Sequence, residues 1–163
     1  MGRANYPLAP MLKVRLLHED QAKRLAREAE ERVKSAESYL EDCSSELSRY
    51  RLWRPLEEDR RYAAILGKPL DAEQLGFFRE DLARLAQGEN DRELKVLEAE
   101  KLLNERKKEA LKAGDAVILA RKACMKLEEH RDIWESAVRK EEERQSDLEL
   151  EEARGPSRIS DES

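Results

Sequence analysis

Apolar residues recur along this chain at alternating steps of three and four, the spacing that gathers one stripe on one face of a helix. From Leu75 the pattern runs for nine heptads through Phe78, Leu82, Leu85, Glu89, Arg92, Val96, Ala99, Leu103, Arg106, Ala110, Ala113, Val117, Ala120, Cys124, Leu127, Arg131, Trp134 and Val138. Fifteen of these nineteen positions are apolar in a chain that is 39% hydrophobic, where chance would give about seven. The stripe is therefore read as a seam, and its heptad period implies a left-handed coil against a partner helix. An earlier segment supplies that partner at Ala22, Leu25, Ala29, Val33, Ala36, Leu40, Cys43, Leu47 and Tyr50, with one extra four-step near Ala29 and Val33 that reads as a stutter.

Helix ends follow from the glycines and prolines. Pro10 suits a first helical turn, and no glycine follows it until Gly67, so helix 1 is predicted over about residues 10–66. Pro55 lacks an N–H and crowds the carbonyl of Arg51, which predicts a kink or short break between them. Gly67 and Pro69 then end the helix, and Asp71 with Gln74 has the pattern of a capping box, with Leu70 and Leu75 placed as a hydrophobic staple. The turn is 67–71, and helix 2 extends over about 72–154. So short a connection favours antiparallel neighbours. The expected fold is all-α: two long helices in an antiparallel coiled-coil hairpin, one domain over 10–154, with an N-terminal segment 1–9 and a disordered tail 155–163.

The turn also predicts a register, in which neighbours have numbers summing to about 136. Leu25 should lie beside Leu111, Leu40 beside Val96 and Leu97, and Tyr50 beside Ala86. The paired part would be roughly 85 Å long at the helical rise. Beyond residue 127 helix 2 should project unpartnered for about 25 residues, carrying Trp134 and the run Glu141-Glu142-Glu143 as a C-terminal helical extension. Cys43 and Cys124 would be roughly 45 Å apart, too far for a disulfide, and are read as small seam residues.

Composition decides between a helical coil and disorder only with this periodicity in hand. Charged residues make up 42% of the chain and aromatic ones 5%, too polar for a thick core but suited to helices that bury one stripe each. The 32 basic and 37 acidic side chains interleave to a net −5, unlike a nucleic-acid binder. Lys13 and Arg15 interrupt the one apolar stretch near the start, so no signal peptide or membrane insertion is expected and the protein is read as cytoplasmic. Catalytic chemistry is not legible either. His18 and His130 have no partners at zinc-ligand spacing, and no phosphate-binding loop, dinucleotide fingerprint or nucleophile elbow occurs. No enzyme activity, cofactor or metal is expected.

Two features exceed a solvated coil. Tyr50-Arg51-Leu52-Trp53-Arg54 lies near the turn, where Phe77 and Phe78 should approach it. This cluster is either local stiffening around Pro55 or a partner-binding patch. Charge is also uneven: residues 1–35 carry 8 basic and 5 acidic side chains and residues 101–131 carry 9 and 5, whereas 36–100 carry 10 and 16 and 132–163 carry 5 and 11. A basic terminal end and an acidic turn half suit different partners.

The opening Tyr6-Pro7-Leu8 with Met11, Leu12 and Arg15, the run Tyr50-Arg51, Trp53-Arg54, Glu57-Glu58, Arg60-Arg61, and the late Glu128, Trp134, Lys140-Glu141-Glu142-Glu143 resemble the YscO (SctO) family of bacterial type III secretion, relatives of flagellar FliJ. The resemblance implies a non-catalytic central stalk that enters the hexameric secretion ATPase, promotes its activity, reaches the cytoplasmic ring of the export gate and binds secretion chaperones. It implies gate contacts at Tyr50, Trp53, Arg54, Phe77, Phe78 and Leu82, and ATPase contacts at Arg15, Arg121, Lys122 and Trp134. Such a protein would be a monomer when isolated. The alternative is a generic coiled-coil tether or a prefoldin-like chaperone or adaptor unrelated to secretion.

Overall fold

The computed structural model describes residues 4–155. Two helices account for nearly all of them, α1 (Ala9–Ile65) and α2 (Ala72–Arg154), and no strand occurs among the described residues. The tail expected over 155–163 lies, apart from Gly155, outside that range. α1 continues through Pro55 without interruption, so the expected short break does not occur. Between the helices Gly67 takes a positive φ of 75°, which favours a residue without Cβ. The Lys68 N–H donates to the Ile65 carbonyl at 3.2 Å. The capping box forms in both directions: the Gln74 N–H donates to Asp71 Oδ1 at 2.7 Å, and the Asp71 N–H donates to Gln74 Oε1 at 3.2 Å. Leu70 and Leu75 stay 38% and 39% exposed, so the staple over this turn is loose.

The chain divides into two compact units, each built from a stretch of both helices. One comprises Leu25–Ala113 and contains the turn; the other combines residues 4–24 with 114–155. In the turn unit Ala29, Ala36, Cys43 and Leu47 of α1 and Leu85, Ala99 and Leu103 of α2 are buried. In the terminal unit Tyr6, Leu12 and Cys124 are. The α2 seam is as the spacing predicted: every position from Phe78 to Val138 is buried or partly so, and only Leu75 is exposed.

On α1 the seam departs from expectation. Ala26 faces inward and Leu25 is 53% exposed. With Ala26 in place the steps alternate without a stutter from Glu19 through Ala22, Ala29, Val33, Ala36, Leu40, Cys43, Leu47 and Tyr50, then continue through Arg54, Glu57 and Arg61. Phase, not side-chain size, decides which residue turns inward, and alanine lets the two backbones come close.

The register is also displaced. In the turn unit Tyr62 meets Phe78, Arg92 meets Glu46, Arg51 meets Glu89 and Glu93, and Arg54 meets Glu89, pairs whose numbers sum to 138–144, while the Tyr50 hydroxyl reaches the Leu85 carbonyl, one residue from the predicted neighbour Ala86. The predicted sum near 136 describes backbone levels. Side chains lean toward the N-terminus of their own helix, so each covers a spot belonging to about the preceding residue, and in an antiparallel pair the two offsets add to about two. Leu25 and Leu111, expected as neighbours, both face outward, at 53% and 71% exposed.

Candidate docking surfaces

In the turn unit the seam changes character beyond Leu47. Tyr50 reaches across α2, where its hydroxyl donates to the Leu85 carbonyl at 2.6 Å, and the Arg92 guanidinium lies 4.0 Å from its ring centroid. Trp53 also packs against Tyr50, with centroids 5.4 Å apart and the rings tilted by 49°. This arrangement needs Gly88, because a Cβ there would stand 2.5 Å from the Tyr50 hydroxyl oxygen. Arg92 Nε is buried without a hydrogen-bond partner and lies 3.5 Å from a Glu46 carboxylate oxygen. A shallow groove lined by Asp42, Glu46, Arg49, Tyr50, Trp53 and Arg92 runs along this edge.

The next stretch is ionic. Arg51 binds Glu89 at 3.1 Å and Glu93 at 2.6 Å, while Arg54 binds Glu58 at 2.8 Å and also Glu89. Glu57 is buried, 7% exposed, and accepts bonds from Arg60 and Arg61 on its own helix. Hydrogen bonding from Arg54, then Arg51, holds the Glu89 carboxyl below its ordinary range against the opposing effect of burial. Arg60, seconded by Arg61, does the same for Glu57. Nearer the turn the rings of Tyr62 and Phe78 pack edge to face, 5.1 Å apart.

The structure thus splits the expected aromatic cluster. Tyr50, Trp53 and Arg54 stand together, but Phe78 pairs with Tyr62 instead of approaching them, and the ionic stretch lies between. Tyr50 and Arg54 are bound into the helix pair. Trp53 and Phe77 are 44% and 58% exposed, while Phe78 and Leu82 are partly buried. Tyr62, Glu57, Gly88, Glu89 and Arg92 were not singled out as site residues from sequence. Hydrophobic periodicity gives no weight to a charged or glycine residue at an inward position, although Glu89 and Arg92 already stood in the seam spacing.

In the terminal unit Tyr6, ahead of α1, folds onto α2 and is buried. Its hydroxyl is 2.6 Å from His130 Nδ1, and its ring meets the edge of Trp134 with centroids 5.5 Å apart. This corrects the expectation that α2 is unpartnered beyond residue 127. The N-terminal segment extends the pairing past Trp134, which is partly buried, and α2 is uniformly exposed only from Arg139 onward. Glu19 and Cys124 form a second inward pair. Burial, then the adjoining Glu19 carboxylate, pushes the Cys124 thiol up, while hydrogen bonding from Cys124 and Lys23 lowers Glu19. Arg15 and Arg121 stand close enough to act electrostatically on this pair. Both are exposed, as is Lys122. Cys43 and Cys124 are free thiols and buried.

Among the described residues no group of three or more His, Cys, Asp or Glu is placed to hold a metal ion, and no helix is long and apolar enough to cross a membrane. The chemistry on display is that of surfaces: exposed aromatics beside an ionic seam in one unit, and exposed cations with an aromatic clasp in the other.

Comparison with known proteins gives this arrangement a family. No match was found among curated proteins. Two solved structures share the fold: a putative YscO homolog, CT670, from Chlamydia trachomatis, with TM-score 0.76 at 20% identity and covering 96% of each chain, and the type III secretion protein YscO from Vibrio parahaemolyticus, with TM-score 0.82 at 21% identity and covering 89% of this chain and 91% of that one. The family model for type III secretion protein YscO matches residues 8–155. The chain therefore belongs to the YscO family of type III secretion proteins.

Proposed function

We infer that this YscO-family protein is the non-catalytic central stalk of a bacterial type III secretion system, linking the hexameric secretion ATPase to the cytoplasmic ring of the export gate and promoting ATPase activity and export. The observation that carries the reading is the family match across residues 8–155, in a chain whose two units each pair a stretch of both helices and leave Trp53, Phe77, Arg15, Arg121 and Lys122 exposed. The terminal unit would enter the ATPase through Arg15, Arg121 and Lys122, with Trp134 held in place by Tyr6. The turn unit would meet the gate through Trp53 and Phe77, with Phe78 and Leu82 contributing their exposed edges. Tyr50 and Arg54 would act indirectly, by fixing how Trp53 is presented. Secretion chaperones are further partners. The protein would work at the cytoplasmic face of the inner membrane, held there by the apparatus, and be a monomer when isolated.

An asymmetric helix pair inside a near-symmetric ring makes different contacts with successive subunits, so it can favour different nucleotide states in them without taking part in bond chemistry. The test is ATP turnover and ring assembly of the purified cognate ATPase with and without this protein. The stalk reading expects both to rise with stalk concentration and saturate. Unchanged turnover and unchanged assembly would refute it.

A further inference from the structure

Toward the turn the helix pair loses its apolar core while keeping its helices. Over residues 48–84 the only buried side chain is Glu57, whereas farther from the turn the same unit buries Ala29, Ala36, Cys43, Leu47, Ala99 and Leu103. The Glu57 carboxylate accepts from Arg60 and Arg61 of its own helix, so those bonds do not tie the two helices together. Leu52, Leu56 and Leu66 are exposed and bury little across the pair. What crosses is mostly ionic: Arg51 binds Glu89 and Glu93, Arg54 binds Glu89, and an Arg61 N–H reaches the Asp81 carbonyl at 3.5 Å. The Tyr62 and Phe78 rings add one edge-to-face contact. Arg51 and Glu93 are 50% and 44% exposed along their side chains, so water and salt weaken their attraction, and 3.5 Å is at the outer limit of a hydrogen bond.

The helices are also weak in themselves here. Pro55 lies inside α1 and leaves the Arg51 carbonyl without its helical donor. Gly76 lowers helix propensity on the opposite arm. Arms spanning 51–65 and 72–84 are near the roughly 12–15 residues at which an isolated helix is marginal in water. Each arm therefore depends on the other, through contacts that are mainly electrostatic.

We propose that residues 51–84 form a tip that opens as a local unit: the two arms part and lose helix together while the apolar seam below them stays closed. The Tyr50 hydroxyl on the Leu85 carbonyl marks where the opening stops. Opening turns out Tyr62, Phe78 and Leu82, which the closed pair holds against the facing helix or partly covers, so a partner meets these side chains fully only in the open form. Closure by ion pairs makes the tip responsive to salt or to any charged surface that competes for Arg51, Arg54 and Glu89. The proposal follows from the content of the seam and does not depend on the stalk reading.

Hydrogen exchange of the full chain, read by mass spectrometry, measures the opening. Corrected for intrinsic rates, amides of 51–65 and 72–84 should exchange at least about 100-fold faster than those of 29–47 and 92–103. Raising sodium chloride from about 0.05 M to about 1 M should speed the tip at least about threefold and leave the seam no faster. R51A removes an exposed guanidinium and should speed the tip by about threefold at low salt. R54L/E57L/E89L carries the apolar seam toward the turn and removes both partners of the Arg54 to Glu89 pair; it should slow the tip at least about tenfold and abolish most of its salt response. Tip amides protected as strongly as the seam would overturn the proposal. Fast exchange that responds to neither salt nor R51A would overturn it as well, by reducing the opening to ordinary fraying at the turn.

Discussion

Gly88→Ala tests the packing of the turn unit because two effects oppose each other there. On an open helical surface this change stabilises by about 1 kcal/mol through helix propensity. At Gly88 the added Cβ would stand 2.5 Å from the Tyr50 hydroxyl oxygen and 3.0 Å from the ring carbon bearing it, so the ring must move. Moving it breaks the 2.6 Å bond to the Leu85 carbonyl and the stacking under Arg92, worth about 1 kcal/mol and about 0.5–1 kcal/mol respectively. Crowding adds about 1–3 kcal/mol. The expected net effect is a loss of about 1.5–4 kcal/mol, read by urea unfolding monitored by circular dichroism. A Tyr50→Ala background removes the obstacle, so there Gly88→Ala should stabilise by about 0.5–1 kcal/mol. Gly114→Ala should stabilise by a similar amount in the unsubstituted protein, since a Cβ there meets nothing within 4 Å. If Gly88→Ala stabilises equally in both backgrounds, the close approach of Tyr50 to α2 is wrong.

The depressed carboxyls of Glu57 and Glu89 give a signed dependence on pH. A carboxyl lowered in the folded state from its ordinary 4.5 leaves the unfolded chain binding more protons, so its stabilisation is complete above that value and is lost as pH falls through the folded-state pKa. Thermal melts should show stability falling below about pH 4.5, with a shallower fall in Glu89→Gln; an identical slope would contradict the assignment. Tyr6→Ala should uncover Trp134: with Trp53→Phe leaving Trp134 as the sole tryptophan, its emission should shift to the red and gain access to iodide, and an unchanged spectrum would refute the clasp. Cys124 is 2% exposed with its thiol pushed up, so in a Cys43→Ser protein native alkylation should be slowed at least about 100-fold relative to urea-unfolded protein. Comparable rates would show that the site opens freely.

What could be read in the sequence was governed by phase and by turn chemistry. The α2 seam from Phe78 to Val138 was legible because small and large apolar residues kept one period over many turns, and Gly67, Asp71 and Gln74 marked the turn through backbone requirements that few residues meet. Leu25 was favoured over Ala26 because a larger residue gives the stronger hydrophobic signal, although phase turns the alanine inward. Tyr6 escaped because it precedes the helix and no helical period applies to it. Arg54, Glu57 and Arg61 continue the α1 phase past Tyr50, but the residues that ended the apolar pattern did not end the packing. The site residues were legible as residue types and not as groupings: Phe78 joined Tyr62, and Trp134 joined Tyr6.

The stalk reading places its two ends against different proteins, which site-specific photo-crosslinking in secreting cells measures most directly. A photoreactive residue in place of Trp53, 44% exposed, and another in place of Lys122, also exposed, disturb no seam position. The account predicts capture of an export-gate component from position 53 and of the secretion ATPase from position 122. Capture of the ATPase from 53 and the gate from 122 would invert the orientation, and capture of neither from both positions would contradict the stalk itself.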